Sequence, residues 1–268
     1  MEELEGKDIG GIIYSVYNDE NRAGEHLIKA HHLGFIISGN LSIIDGDKIH
    51  TFKAGDIGLF RKNHLAKFIK QPSPGSHFIA VTVILDKETL LTSKGQQPVG
   101  YANTPQDAVL SIGPDALLAN YFTSLIPYFN ERLDSDLVQY KKQEAVLLLL
   151  RKHPELRSVL FDFGEPGKID LEAFMNRNFR YNVTLGEMAF LTGRSLATFK
   201  RDFKKIFNCP PNRWIQQQRL KQAHYMISRN KVKPSEVYLE VGFESLSHFS
   251  YAFKQFFGVT PSSLAVIG

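Results

Sequence analysis

The stretch Ser195–Pro211, SLATFKRDFKKIFNCPP, returns fifty residues later as Ser245–Pro261, SLSHFSYAFKQFFGVTP. Ser195/Ser245, Leu196/Leu246, Phe199/Phe249, Phe203/Phe253, Lys204/Lys254, Phe207/Phe257 and Pro211/Pro261 are identical pairs. The shared phenylalanines fall at i, i+4 and i+8, the repeat of one helical face. Each copy therefore predicts a helix with a buried Phe stripe and a polar, partly cationic stripe outside. Two such helices suit two equivalent insertions into a partner that itself repeats, and duplex DNA is such a partner.

The flanks of the copies are matched too. Before the first, Thr184 and Glu187 fit a capping box, and the short helix after them carries Leu185, Met188, Ala189 and Leu191. It stops at Thr192-Gly193, where glycine can take the left-handed conformation that ends a helix. Ser195 then caps the next helix. The second pass runs Pro234-Ser235, Glu236 to Val241, Gly242-Phe243, then Ser245 as cap. Helix, short glycine turn, helix is the helix-turn-helix unit, expected at about 184–207 and 235–257. Plain packing of two helical hairpins is the alternative. The duplication of caps, glycines and basic positions favours the DNA reading.

At these residues the chain resembles the AraC/XylS family of bacterial transcription regulators, over roughly the last hundred residues. Gly242, Phe243, Ser245, Phe249, Phe253, Lys254, Gly258, Thr260 and Pro261 match the family's second-motif signature. Pro211, Trp214, Arg219-Leu220 and Ala223 sit where the family has its connecting helix. Two positions depart from it: Tyr251 stands where the family often has Arg, and Ser263-Leu264 replaces the usual Tyr-Arg. The resemblance implies a double helix-turn-helix domain whose second helices enter the major groove, with Arg201 at the family's base-reading position.

Charge is divided along the chain. Residues 165–268 hold fifteen Lys and Arg against eight Asp and Glu, a balance of +7, in a chain whose net charge is +4. Residues 1–164 are thus mildly acidic, as a sensor joined to a DNA-binding module would be. Arg194, Lys200, Arg201, Lys204, Lys205, Arg213 and Lys254 lie on or beside the repeated helices. With the Phe stripes inward, Ala197, Thr198, Lys200, Arg201 and Lys204 face out on the first helix. Leu246, Ser247, His248, Ser250, Tyr251 and Lys254 do so on the second. Thr198, Ser247, His248 and Ser250 suit bases or phosphates, and Lys204 and Lys254 suit phosphates.

Composition narrows the remaining classes. The single cysteine, Cys209, allows no intrachain disulfide and fits a reducing compartment. The start MEELEGKDIG is unlike a signal peptide, and the apolar run Ala145–Leu150 is too short to span a membrane. A cytoplasmic protein is expected. There is no Gly-x-Ser-x-Gly, Cys-x-x-Cys or phosphate-binding glycine loop, so no catalytic residue or cofactor is assigned.

From Ile12 to Leu85 the pattern changes to short Ile/Val/Phe runs broken by turn dipeptides. Gly39-Asn40, between Leu33–Ser38 and Leu41–Ile44, and Asp45-Gly46, before Lys48–Phe52, are hairpin signals. Strands follow at Ile57–Phe60, near Ala66–Lys70 and at Phe78–Leu85. This segment is similar to the cupin barrel that many AraC/XylS members use for sensing. Adjacent His31 and His32 point to opposite faces of a strand, and His64 has no partner at metal-binding spacing, so no metal is assigned. The cup is expected to hold a small molecule, with His32, Phe35, Arg61 and His64 as candidate contacts. Helices are expected at about Asp115–Phe129 and Ser135–Lys152, the latter with Leu137, Tyr140, Glu144, Leu147, Leu148 and Leu150 on a wide face. That face packs on the barrel or forms a homodimer seam.

The expected architecture is α+β and multidomain. It comprises a cupin-like β-barrel (1–103), a helical linker and dimerisation element (104–160), a hinge (161–168) and an all-α double helix-turn-helix domain (169–268). The expected function is sequence-specific transcription regulation of double-stranded DNA by a homodimer answering a small-molecule effector, with RNA polymerase as partner if it activates. The alternatives are a barrel that docks a partner protein, or a cupin-type enzyme.

Overall fold

The computed structural model describes residues 6–18, 25–46, 48–93, 107–131 and 134–267. The chain divides into two compact units, Met1–Gly164 and Glu165–Gly268. The division falls inside the expected hinge; the boundary expected at residue 103 lies outside the described residues.

The first unit is built on two antiparallel sheets. Strands β1 (Lys7–Asp8), β2 (Ile12–Tyr17), β3 (Glu25–Ile28), β4 (His31–Ser38) and β5 (Asn40–Asp45) are followed by β6 (Lys48–Lys53), β7 (Ile57–Phe60), β8 (His64–Gln71) and β9 (Phe78–Leu85). Helix α1 (Lys87–Ser93) precedes β10 (Val109–Ser111), and α2 (Ala116–Leu125), α3 (Ser135–Lys152) and α4 (Arg157–Leu160) complete the unit. The larger sheet has the order β1-β2-β9-β4-β7-β10, the smaller β3-β8-β5-β6. One core lies between them, joining Ile36, Phe60, Phe78 and Ala80 of the larger sheet to Leu41, Ile43, Phe52 and Phe68 of the smaller. A second core lies on the other face of the larger sheet, where Leu33, Phe35, Leu59 and Val83 meet Phe122, Ala145, Val146 and Leu149 of the helices.

Two expectations change here. Gly39-Asn40 is no hairpin: β4 pairs with β7 and β9, whereas β5 pairs with β6 and β8. The chain instead crosses between sheets. The register shift between Ile36 and Ser38 bends the strand, as bulges do, and Gly39 turns the corner with φ +83°. A Cβ there would lie 2.5 Å from the Gln71 carbonyl oxygen, so only glycine fits. The second change is β10, which adds an edge strand on β7 within the span expected to be helical. The Asp45-Gly46 turn does close a hairpin, with Asp45 opposite Lys48.

Helix α3 keeps its expected bounds but buries a different face. Val138, Lys142, Ala145, Val146, Leu149 and Leu150 face the sheet, and Lys142 is paired with Asp86. Tyr140 and Leu147 are 67% and 62% exposed. Helix α2 starts at Asp115, whose carboxylate accepts the Leu118 N–H.

The second unit is helical: α5 (Leu171–Asn178), α6 (Leu185–Leu191), α7 (Leu196–Phe207), α8 (Pro211–Ser228), α9 (Pro234–Glu240), α10 (Leu246–Phe257) and α11 (Pro261–Ile267). Asp170 caps α5, both bonds of the Thr184–Glu187 box are made, and Ser195 and Ser245 cap the repeated helices. Helix α9 begins without a side-chain cap. Lys233 precedes Pro234, which opens the helix; proline suits that position because its missing N–H has no helical partner there. The unit has two separate cores. Leu171, Met175, Met188, Phe199, Phe203 and Trp214 form one, and Leu220, Ile227, Val237, Phe243, Phe249 and Phe253 the other.

Candidate nucleic-acid interface and sensor cavity

The repeated helices are the centre of the candidate interface. Phe199, Phe203, Phe249 and Phe253 are fully buried, which fixes what each helix leaves outside. On α7, Ala197, Lys200, Arg201, Lys204 and Lys205 are exposed and Thr198 is half-buried. On α10, Leu246, Ser247, His248, Tyr251 and Lys254 are exposed and Ser250 is half-buried. Position for position, Arg201 corresponds to Tyr251, itself 68% exposed. Arg213, at the start of α8, lines a cleft of about 720 Å³ between the two lobes together with Asn182, Thr184, Gln216, Arg219 and His248.

Arg194 stands apart from the other basic positions. Its side chain is only 7% exposed. It donates to the Ile169 and Thr192 carbonyls at 3.0 and 2.7 Å and to Asp202 at 3.3 Å. The same Asp202 lies 3.5 Å from Arg201 Nε. Desolvation pushes the Asp202 carboxyl up, but the Arg194 hydrogen bond and the charges of Arg201 and Lys168 outweigh it and hold the group below its ordinary range. Arg194 thus holds the motif's turn to its helix, while Arg201 keeps most of its surface.

The first unit contains a cavity of about 800 Å³ between its sheets. Of the four candidate contacts only His32 lines it. Phe35 stacks on Phe122 outside the cup at 5.4 Å; residues 32 and 35 differ by an odd number, and strand side chains alternate. Arg61 donates to the Asp107 carbonyl at 3.2 Å and His64 Nδ1 meets the Lys62 carbonyl at 2.8 Å, both away from the lining. His31 points opposite to His32, as expected, and is 2% exposed. Burial, then the charges of Lys62, Arg61, His64 and His32, push it down to about 3.

What the residues alone did not reveal is the cavity's own chemistry. Ser15, Thr82, Gly34 and Ala80 form a floor of small residues on the larger sheet, flanked by Phe60, Phe68 and Phe78. At one end Lys70 Nζ lies 3.2 Å from Tyr17 Oη and 4.2 Å from the centroid of that ring. Among the described residues, no carboxylate lines the cavity. The signal was present in β8, where Ala66, Phe68 and Lys70 share one parity, so a lysine on the inward face followed from alternation.

Comparison with known proteins places both units. Residues 31–159 match the ExsA N-terminal regulatory domain and residues 188–265 a helix-turn-helix domain. The chain is 29% identical over 168 residues to the thermoregulatory protein LcrF of Yersinia pestis, covering 61% of this chain and 62% of that one. It is 32% identical over 136 residues to the virulence regulon transcriptional activator VirF of Yersinia enterocolitica, covering 49% and 50%. These matches span about half to three fifths of the relatives' lengths. A crystal structure of apo ToxT from Vibrio cholerae aligns over 97% of this chain and 98% of that one, at 14% identity and a TM-score of 0.47.

Proposed function

The chain belongs to the AraC/XylS family of transcription regulators, and from that premise we propose that it binds duplex DNA sequence-specifically through α7 and α10 and regulates transcription. The observation that carries this is the duplicated outward face, in which two capped helices bury the same phenylalanines and leave Arg201 and Tyr251, Lys204 and Lys254 at matching exposed positions. In the major groove every base pair is distinguishable. Arg201 is the main reader, Tyr251 a weaker one, and Lys204 and Lys254 hold phosphates. With DNA as partner the working compartment is the cytoplasm, and RNA polymerase is the further partner if the protein activates.

Selection from a randomised duplex pool tests the assignment. Arg201→Ala weakens binding to the selected site by about ten- to a hundredfold and relaxes one or two base pairs, since a bidentate Arg–guanine contact is worth roughly 1–3 kcal/mol. Lys254→Ala weakens all sequences alike and lowers the salt slope by about one. If Tyr251→Ala erases the motif while Arg201→Ala leaves it unchanged, the dominant reader is misassigned.

The cavity of the first unit suits an elongated, mainly apolar effector with one acidic head. From the Tyr17–Phe78 pair to the His32–Ile84 pair the floor runs six residues along β9, roughly 20 Å at about 3.4 Å per residue. Lys70 supplies the cation at one end, and among the described residues the lining holds no competing carboxylate. Long-chain carboxylates should raise the melting temperature of the full chain more than the matching alcohols do. Lys70→Met should abolish the difference between acid and alcohol. An equal response to both in the wild type would remove the acidic head from the proposal.

A further inference from the structure

The two lobes of the second unit share no core residue, so something else must set the angle between them. Helix α8 passes through both, giving Trp214 and Ile215 to one core and Leu220, Ala223, Met226 and Ile227 to the other. Between those two sets sits Arg219. Its Nε donates to the Phe179 carbonyl at 2.9 Å and its Nη2 to the Tyr181 carbonyl at 2.8 Å, both in the segment that leads from α5 into α6. Its Nη1 donates to the Gly242 carbonyl at 2.6 Å, in the turn that leads from α9 into α10. One guanidinium thus ties the approaches of both motifs.

The contact leaves little room. Gly242 has φ +90°, and a Cβ there would lie 2.4 Å from the Arg180 carbonyl oxygen and 2.8 Å from Arg219 Cζ. The lobes therefore meet backbone to backbone at this point, and Asn182 adds a 2.6 Å hydrogen bond to Glu244 beside it. A planar guanidinium with five donors in a fixed fork can hold three carbonyls at set angles; a lysine ammonium is a point charge on a flexible stem and cannot. Without Arg219, the lobes would keep only the continuous helix and the Asn182–Glu244 bond of these ties.

We propose that Arg219 is a positioning residue that fixes the spacing and helical phase of the two half-sites, by locking the lobes that carry α7 and α10. This rests on the DNA-binding reading above. Half-sites read by two such helices lie about one turn, 10–10.5 base pairs, apart, so each inserted pair rotates one half-site by about 35° relative to the other. A locked pair of helices must reject that rotation. A hinged pair can follow it.

The experiment uses the full chain and the duplex selected from a random pool, rebuilt with one or two base pairs added to or removed from the spacer. Wild-type affinity should fall about tenfold for one inserted pair, the scale of one mismatched base pair. Arg219→Gln, which retains a single amide, should differ less than about threefold across the spacers on that same scale. Arg219→Lys is the second variant should the first fold poorly, with the same expectation. A lower melting temperature with an unchanged spacer profile in both variants would make Arg219 merely structural and overturn the inference. So would a wild type indifferent to spacing. A wild type that selects no duplex at all would instead overturn the DNA-binding reading, and this inference with it.

Discussion

Arg194 and Arg201 show how little residue type says about task. Both lie on the first helix-turn-helix and both reach Asp202, yet one is buried against carbonyls and the other is 65% exposed. His31 carries the same contrast against His32. Because burial holds the folded His31 near 3 while an unfolded histidine titrates near 6.5, the unfolded chain binds a proton between those values that the fold does not. Stability is therefore lost as pH falls through that window, by up to about 1.4 kcal/mol per pH unit. Urea midpoints at pH 7.5 and 4.5 should show the loss in the wild type. His31→Gln should have a visibly shallower dependence; equal slopes would mean that other groups carry the acid sensitivity.

Among elements, α3 turns a partly apolar stripe outward, with Tyr140 and Leu147 exposed. Leu137, Tyr140, Glu144 and Leu147 recur at three- and four-residue steps on the side away from the buried Val138, Ala145 and Leu149. This stripe suits a homodimer seam of two such helices, and Tyr140→Glu with Leu147→Glu should give folded monomer. Sedimentation at tens of micromolar decides the matter, and a monomeric wild type would sink it. The expected face of this helix mixed the two sides because Leu148 and Leu150 are apolar as well. Elements set by local signals were legible: the caps at Asp170, Thr184, Ser195 and Ser245 and the Phe stripes need only neighbours within a few residues. The crossing at Gly39 was not, since a Gly-Asn pair satisfies a hairpin and a change of sheet alike. Neither was the Arg219 clamp, whose carbonyl partners lie 40, 38 and 23 residues away. Of the cavity's contacts, His32 and Lys70 both follow from strand alternation, whereas the cavity they share depends on the packing of two sheets.

At the scale of the whole molecule, the chain is two units with opposite charge balance, and the cationic one holds both repeated helices. Its own caps and cores predict that Glu165–Gly268 should fold alone, and its positive charge that the fragment should bind duplex at low salt with an affinity that falls steeply as salt rises. Circular dichroism and a salt titration check both halves of that statement. An unfolded fragment would mean that the first unit is required for folding.

The paired but unshared cores have an evolutionary consequence. Side chains that touch no common neighbour contribute nearly additively to stability. A substitution inside one lobe, such as at Phe203, is therefore not answered by compensation inside the other, such as at Phe253. After the motif was doubled, each copy could drift under its own selection. The outward positions that differ between the copies, Lys200 against Ser250 and Arg201 against Tyr251 among them, beside shared inward phenylalanines, are the trace such drift would leave. On the proposed reading, in which α7 and α10 each take one half-site, a new operator would be acquired one half at a time while the other half keeps its hold on the old sequence.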